Sequence, residues 1–272
     1  MAFKRTSTLV LSLLLGFLVA CDFLPNARAG ANGGANMKAE QFFEPKMVQL
    51  LKSIQKNDIS TAKQLIAEGV DLNVLGDEDI TPLLWLITQT NDLKATQRAL
   101  DLGADANFKQ PNGDNPVTFV ARDYAPEWLK MLLAAGGNPN SIDRNGKPAM
   151  FNAIGGENWG NINTLLEYGA DVNLKDRSGK NSALYPTYIM KYELAYFFLL
   201  KGADPYIYDD TGSDLAWSVY EPLEDGIIAP DSINYPWVMK IKQHLIDQGV
   251  KFPPPSPKEV RAMWEKNGKP EH

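Results

Sequence analysis

Cysteine is almost absent from this 272-residue chain, which has only Cys21. An intramolecular disulfide is therefore excluded, and so is a cysteine-based zinc site. Histidine is nearly as scarce: His244 and His272 are the two, and the second is the last residue. Neither falls in a metal-ligand spacing, and neither comes with a recognisable triad motif, so no metal and no cofactor is expected. Basic residues are outnumbered, 27 Lys and Arg against 33 Asp and Glu, giving a formal charge of -6. Loss of a leader carrying Lys4 and Arg5 would make the balance more acidic still. Nucleic acid is a poor partner for such a chain, because phosphates need clustered cations. A basic protein partner remains open.

Long apolar runs are also rare. One opens the chain, Leu9 to Ala20, after a short basic start, and it ends directly on Cys21. It is too short for a comfortable spanning helix and is followed by polar, glycine-rich sequence, which is the pattern of a secretion leader. "LVAC" at Leu18–Cys21 resembles the lipobox of bacterial lipoproteins, in which the cysteine is lipidated and heads the mature chain. The resemblance implies a leader over 1–20, acylation at Cys21, and a lipid anchor facing the periplasm. Asp22 is similar to the inner-membrane retention signal of enterobacterial lipoproteins. Residues 21–40, rich in Gly, Ala and Asn, read as a flexible tether.

What is abundant is repetition. "EGVDLN", "LGADAN", "AGGNPN", "YGADVN" and "KGADPY" place Gly69, Gly103, Gly136, Gly169 and Gly202 at steps of 34, 33, 33 and 33 residues, with a weaker sixth instance at Gly249. Twelve residues beyond the first four of these glycines lie "TPLLWL", "NPVTFV", "PAMFNA" and "NSALYP", and "DLAWSV" is a fifth such patch. Between them sit glycine turns, three of them preceded by Asp143, Asp176 or Asp209. In "INTLLEYG", Ile162, Leu165 and Leu166 form one helical face, and Gly169 stands where a left-handed turn is cheapest. Asp171 and Asn173 are suited to bond nearby backbone and define the turn. In "DITPLLWL", Thr81 is placed to cap a helix and Pro82 to occupy its first turn.

This pattern resembles the ankyrin repeat family, from about Phe42 to Lys251. The resemblance implies an all-α repeat solenoid of helix-turn-helix units with β-turn fingers, whose core lies between units. The expected ankyrin domain covers 41–252: an N-terminal cap at 45–76, repeats at about 77–110, 111–143, 144–176 and 177–209, and an irregular last unit at 210–252. In that unit "YEPLEDGIIAPDSINYPW" reads as a long inserted loop. A proline-rich tail fills 253–272, with a short helix at Pro257–Glu265 that lays Val260 and Trp264 on the stack. The family's "TPLH" histidine is missing from every unit.

The family's exposed finger tips and first-helix ends imply the binding positions. Carried over, they are Asp77, Glu78, Ile80, Thr88 and Gln89, then Pro111, Asn112, Asp114, Arg122 and Asp123. Next come Arg144, Asn145, Lys147, Gly155 and Gly156, followed by Arg177, Ser178, Lys180, Tyr188 and Ile189. The last unit supplies Asp210, Thr211, Ser213, Glu221 and Pro222. Their charges run in bands: acidic first fingers, basic middle ones, and an acidic last one through Asp209 and Asp210. Such bands favour a matched protein partner over a uniformly charged polymer. Trp85, Phe119 and Tyr185 recur at one helical position and read as packing between units. Tyr188, Trp217, Tyr220, Tyr235 and Trp237 gather near the irregular unit beside Glu221 and form either a binding hot spot or the packing that holds the insertion down.

Glycine-rich "NAIGGENWG" lacks the lysine and strand context of a phosphate loop, and "GDED" at Gly76–Asp79 lacks the oxygen spacing of a calcium loop. No catalytic constellation is present, and a non-enzymatic scaffold, monomeric when unbound, is expected. Architecture and compartment resemble the ankyrin-repeat immunity proteins that accompany type VI secreted phospholipases. That resemblance implies a protein that binds and blocks a toxic, lipase-like effector in the periplasm. An envelope scaffold or chaperone-like adaptor for an endogenous protein is the alternative, and an enzyme is the distant one.

Overall fold

A computed structural model of the chain describes residues 37–269. The leader, Cys21 and the greater part of the tether lie outside the described residues. The chain divides into Met1–Gly34 and a compact unit, Ala35–His272, which holds the whole core described below.

The unit is a stack of helix pairs in the order α1 (Pro45–Gln55), α2 (Ile59–Ala67), α3 (Pro82–Trp85), α4 (Leu93–Asp101), α5 (Pro116–Val120), α6 (Pro126–Ala134), α7 (Ala149–Gly155), α8 (Trp159–Glu167), α9 (Tyr192–Leu200), α10 (Leu215–Glu224), α11 (Tyr235–Asp247) and α12 (Pro257–Asn267). Five second helices, α2, α4, α6, α8 and α9, are each nine residues long. A first helix or 3-10 turn pairs with each of them, and in two units a side-chain cap followed by proline begins it. Thr81 accepts the Leu84 N–H ahead of Pro82, and Asn115 accepts the Thr118 N–H ahead of Pro116. Among the described residues there is no named strand, only an isolated bridge between Ile142 and Pro148 in the third finger. First helices stack on first helices and second on second. Leu86, Ile87, Val120, Ile154, Leu165 and Phe198 are fully buried in the single core between them.

The phased glycines are needed for their backbone angle. Gly69, Gly103, Gly136, Gly169, Gly202 and Gly249 all have φ between +82° and +104°, and an added Cβ would meet nothing within 4 Å at any of them. An L side chain is strained at such an angle by about 1 kcal/mol even in open space.

Asparagines hold the units together. Asn73 donates to the Gly103 carbonyl at 3.0 Å and accepts the Asp105 N–H at 2.7 Å. Asn107 does the same to Gly136 and Asn138, and Asn173 to Gly202 and Asp204. Asn140 accepts the Asp171 N–H. Of the two residues expected to shape the turn locally, Asp171 does so by accepting the Asn173 N–H. Asn173 reaches into the next unit instead. The finger aspartates are local clamps: one oxygen each of Asp143, Asp176 and Asp209 accepts the N–H groups two and four residues on.

Three regions differ from the plain repeat. The first is the chain entry. The end of the stretch read as tether is already seated, with the Met37 carbonyl accepting the Trp85 indole N–H at 3.2 Å and Phe42 and Phe43 buried. The second is the first helix of the 177–209 unit, a 3-10 turn over Tyr185–Ile189 with Pro186 at its start. The third is the last unit, where much of the expected loop is helical. Tyr220, Glu221 and Pro222 lie inside α10, and Tyr235 to Trp237 form the first turn of α11, leaving a connection of 225–234. Beyond it α12 closes the stack. Ser256 and Glu259 form its capping box, Val260 is fully buried, and Trp264 packs edge-on against Tyr208 at 6.0 Å. Gly212 makes room for this helix, since a Cβ there would lie 2.9 Å from the Pro257 carbonyl oxygen.

Candidate functional site

The finger tips and first-helix ends form one continuous side of the stack, and many of their charges are spent on neighbouring fingers. Arg144 lies 3.6 Å from Asp114, whose carboxylate also accepts the Arg144 N–H at 3.0 Å. Arg177 donates to the Arg144 carbonyl, and its side chain lies where a Cβ of Gly146 would be. Lys147 stands 5.3 Å above the Tyr185 ring, which itself stacks on Phe151 at 4.3 Å and 11°. Arg122 and Asp123 pair with each other at 3.7 Å, both exposed. Asp77 and Glu78 sit at the exposed tip of the first finger, where the Asp77 N–H is tied to the Phe42 carbonyl.

The last finger departs from its expected acidity. Asp209 is fully buried. Its carboxylate accepts the Tyr188 hydroxyl at 2.5 Å, the Thr211 hydroxyl at 2.6 Å and the N–H groups of Thr211 and Ser213, while Lys180 stands 3.9 Å away. Burial alone would push this carboxyl up, but the hydrogen bonds from Thr211, Tyr188 and Ser213 outweigh it and hold it below the ordinary value. Burial, followed by the bond to and the charge of Asp209, pushes the Tyr188 phenol up to about 12. Lys180 completes the group 4.5 Å over the Tyr188 ring. Asp210 is taken too, bound at 2.7 Å by Lys269 just beyond α12. Lys180 of a basic band and Asp209 of the acidic one thus meet inside the protein. The regular series Asp143, Asp176 and Asp209 was the signal that Asp209 belongs to the scaffold.

At the first-helix ends a column of residues faces solvent: Arg122, Gly155, Tyr188 and Glu221, one from each successive unit. Gly155 leaves a notch whose only close neighbour is the Tyr185 hydroxyl, 3.7 Å from where a Cβ would stand. Tyr188 beside it is 48% exposed despite its buried hydroxyl bond. Trp217 and Tyr220 pair at 5.5 Å in α10 and are half-buried, and Glu221 next to them is exposed. Of the five aromatics expected to gather, Trp237 takes a different place: it packs on Tyr196 of α9 at 6.2 Å, in the second-helix layer. Among the described residues no cluster of His, Cys, Asp or Glu is gathered to hold a metal ion.

Comparison with known proteins agrees with this geometry. Residues 84–176 match the family model for ankyrin repeats (3 copies). Over 145 residues the chain is 27% identical to a putative ankyrin repeat protein of fowlpox virus, covering 50% of this chain and 41% of that protein. Over 101 residues it is 31% identical to a putative ankyrin repeat protein of Borreliella burgdorferi, covering 37% of this chain and 45% of that one. The aligned stretches therefore span less than half of either relative. A crystal structure of EF0377, an ankyrin repeat protein, superposes with a TM-score of 0.56 over 73% of this chain and 97% of that one, at 21% identity, a likeness of fold. The repeat, the fold and these matches identify residues 84–176 as ankyrin repeats within a stack that has the ankyrin-repeat solenoid fold. Such stacks are generally protein-binding scaffolds.

Proposed function

We propose that the protein binds a protein partner through the first-helix ends of its last three units, and that it does so as a lipid-anchored inhibitor in the bacterial envelope. The observation that carries the binding surface is the open column of Gly155, Tyr188 and Glu221 beside the Trp217–Tyr220 pair. A notch bordered by half-exposed aromatics on rigid helices is the usual make-up of a binding hot spot. Tyr188 is held by Asp209 and Lys180, so its ring is presented with little entropy left to lose on binding.

The finer reading comes from the leader. Acylated at Cys21, the stack would sit at the periplasmic side of a membrane. There it would cover the active-site mouth of a lipase-like antibacterial effector, as an immunity protein does. An envelope scaffold holding an endogenous protein would use the same surface.

Affinity capture from periplasmic extract, followed by identification of the captured protein, separates the two. A toxic lipase, bound by the wild type and lost with Trp217→Ala or Tyr220→Ala, supports immunity. An unchanged survival of effector-exposed cells after deletion of this gene sinks it. Labelling with a radioactive fatty acid, present in the wild type and absent in Cys21→Ser, tests the anchor by itself.

A further inference from the structure

The second-helix layer changes character along the stack. In the early units its outer face is mostly polar: Lys94, Gln97 and Asp101 on α4, Glu127 and Lys130 on α6. In the last units it turns aromatic. α9 reads "YELAYFFLL" and is apolar except at Glu193. Leu194, Ala195 and Phe198 are buried in the core, whereas Tyr196 and Phe197 are half-buried and Leu200 is 58% exposed. A helix this apolar, with Tyr196, Phe197 and Leu200 left partly open, calls for further cover. The neighbours extend the patch rather than close it. Trp159 of α8 meets Phe197 edge-on at 5.2 Å, and Trp237 of α11 meets Tyr196 at 6.2 Å.

Cations line this strip. Lys201 stands 5.4 Å over Phe197, and Lys240 stands 4.0 Å over Trp237 and 5.9 Å over Tyr196. Both lysines are exposed. On α9 itself the one carboxylate is Glu193, a turn before Phe197, and Asp247 lies at the far end of α11, held by Gln243. Glu157, two residues before Trp159, is paired with Lys191, so Lys201 and Lys240 set positive charge directly over the apolar rings in a chain whose formal charge is -6.

We propose that this back face, Trp159, Tyr196, Phe197, Leu200 and Trp237 with Lys201 and Lys240, seats on the surface of an anionic lipid bilayer. Tryptophan and tyrosine rings favour the headgroup level, and lysine stems lie along apolar surface while their ammonium groups reach phosphates. Docked this way, the column at the first-helix ends faces away from the lipid. The proposal is independent of acylation, because every residue it uses lies in the compact unit Ala35–His272.

Co-sedimentation of that unit with vesicles tests it. Binding is expected to mixed phosphatidylethanolamine and phosphatidylglycerol vesicles, weakening as salt is raised, and to be absent with phosphatidylcholine alone. Lys201→Ala and Lys240→Ala should each lower the partition by about fivefold. Leu200→Asp should abolish it while leaving the circular dichroism spectrum unchanged, since the side chain is mostly in solvent. Tyr188→Ala and Trp217→Ala, on the opposite layer, should bind vesicles as the wild type does. Failure to sediment with phosphatidylglycerol vesicles overturns the proposal, as does equal binding of Leu200→Asp. So does a dimer seen by light scattering that Leu200→Asp dissolves, which would make a second copy the occupant.

Discussion

The junctions clasped by Asn73, Asn107, Asn140 and Asn173 and the junction after Tyr206 solve the same problem in different ways. In the first four, a side-chain amide crosses to the next unit and binds its backbone. At the fifth, Tyr206 stands in the asparagine position, 51% exposed, and an added helix, α12, does the closing through Val260, Trp264 and the Lys269–Asp210 pair. The difference separates two uses of sequence. Where the repeat is obeyed, polar residues are consumed by neighbouring units, so charges that look free on paper are structural. Where it breaks, aromatics stand partly open on both layers. Exposed aromatic surface therefore concentrates in the departures.

The largest expected effect comes from removing the deepest of these commitments. Asp209→Ala takes the acceptor from Tyr188, Thr211 and Ser213 in a fully buried site and should cost about 3 kcal/mol, measured by urea unfolding. The pH dependence follows from the two shifts. Asp209 is held low in the folded chain, so its contribution is present above the ordinary carboxyl range and is lost as pH falls through the folded value. Tyr188 is raised from 10.0 to about 12, so its contribution is full below 10 and disappears as pH climbs through that interval. A wild type whose stability curve matches that of Tyr188→Phe on the alkaline side would contradict the second half.

Next in size are the regular clasps. Asn107→Ala removes two bonds to the next unit and Asn173→Ala three, the third from the Asn181 amide, and each should lower stability by about 1–2 kcal/mol. Gly169→Ala should cost about 1 kcal/mol through its φ of +82° alone. Calorimetry that ranked Gly169→Ala well above Asn173→Ala would mean the units are held by their turns more than by the amide ladder.

The fold was legible because its signals are local and recur. A glycine every 33 residues, a Thr-Pro or Asn-Pro helix start and an apolar helical face each report on a few neighbouring residues. The candidate site was legible only in part. Tyr188, Trp217 and Tyr220 could be named from where the repeat leaves bulk unexplained. Asp209 and Asp210 read as an acidic tip because a string of residues does not show that Tyr188 lies 21 positions back or Lys269 59 positions on. The aromatic face of α9 escaped for a related reason. Apolar residues on a helix read as core until the structure shows which side has no neighbour.

The smallest expected effect bears most directly on the contrast between the two kinds of junction. Tyr206→Asn would add the missing rung, provided the loop at Gly249 presents its backbone as the earlier loops do. Locally it does: Gly249 has φ +89°, and the Val250 N–H bonds the Leu245 carbonyl just as the Ala203 N–H bonds that of Phe198. On the donor side, the Tyr206 N–H already bonds Asp204 as the Asn173 N–H bonds Asp171. Each loop has the local geometry of its half of the clasp, and the substitution should stabilise the protein by about 0.5–1 kcal/mol in urea unfolding. A neutral result would mean that the insertion before α11 has carried the Gly249 loop out of register. In that case α12 would be the cap the stack requires, and no fifth clasp could be built.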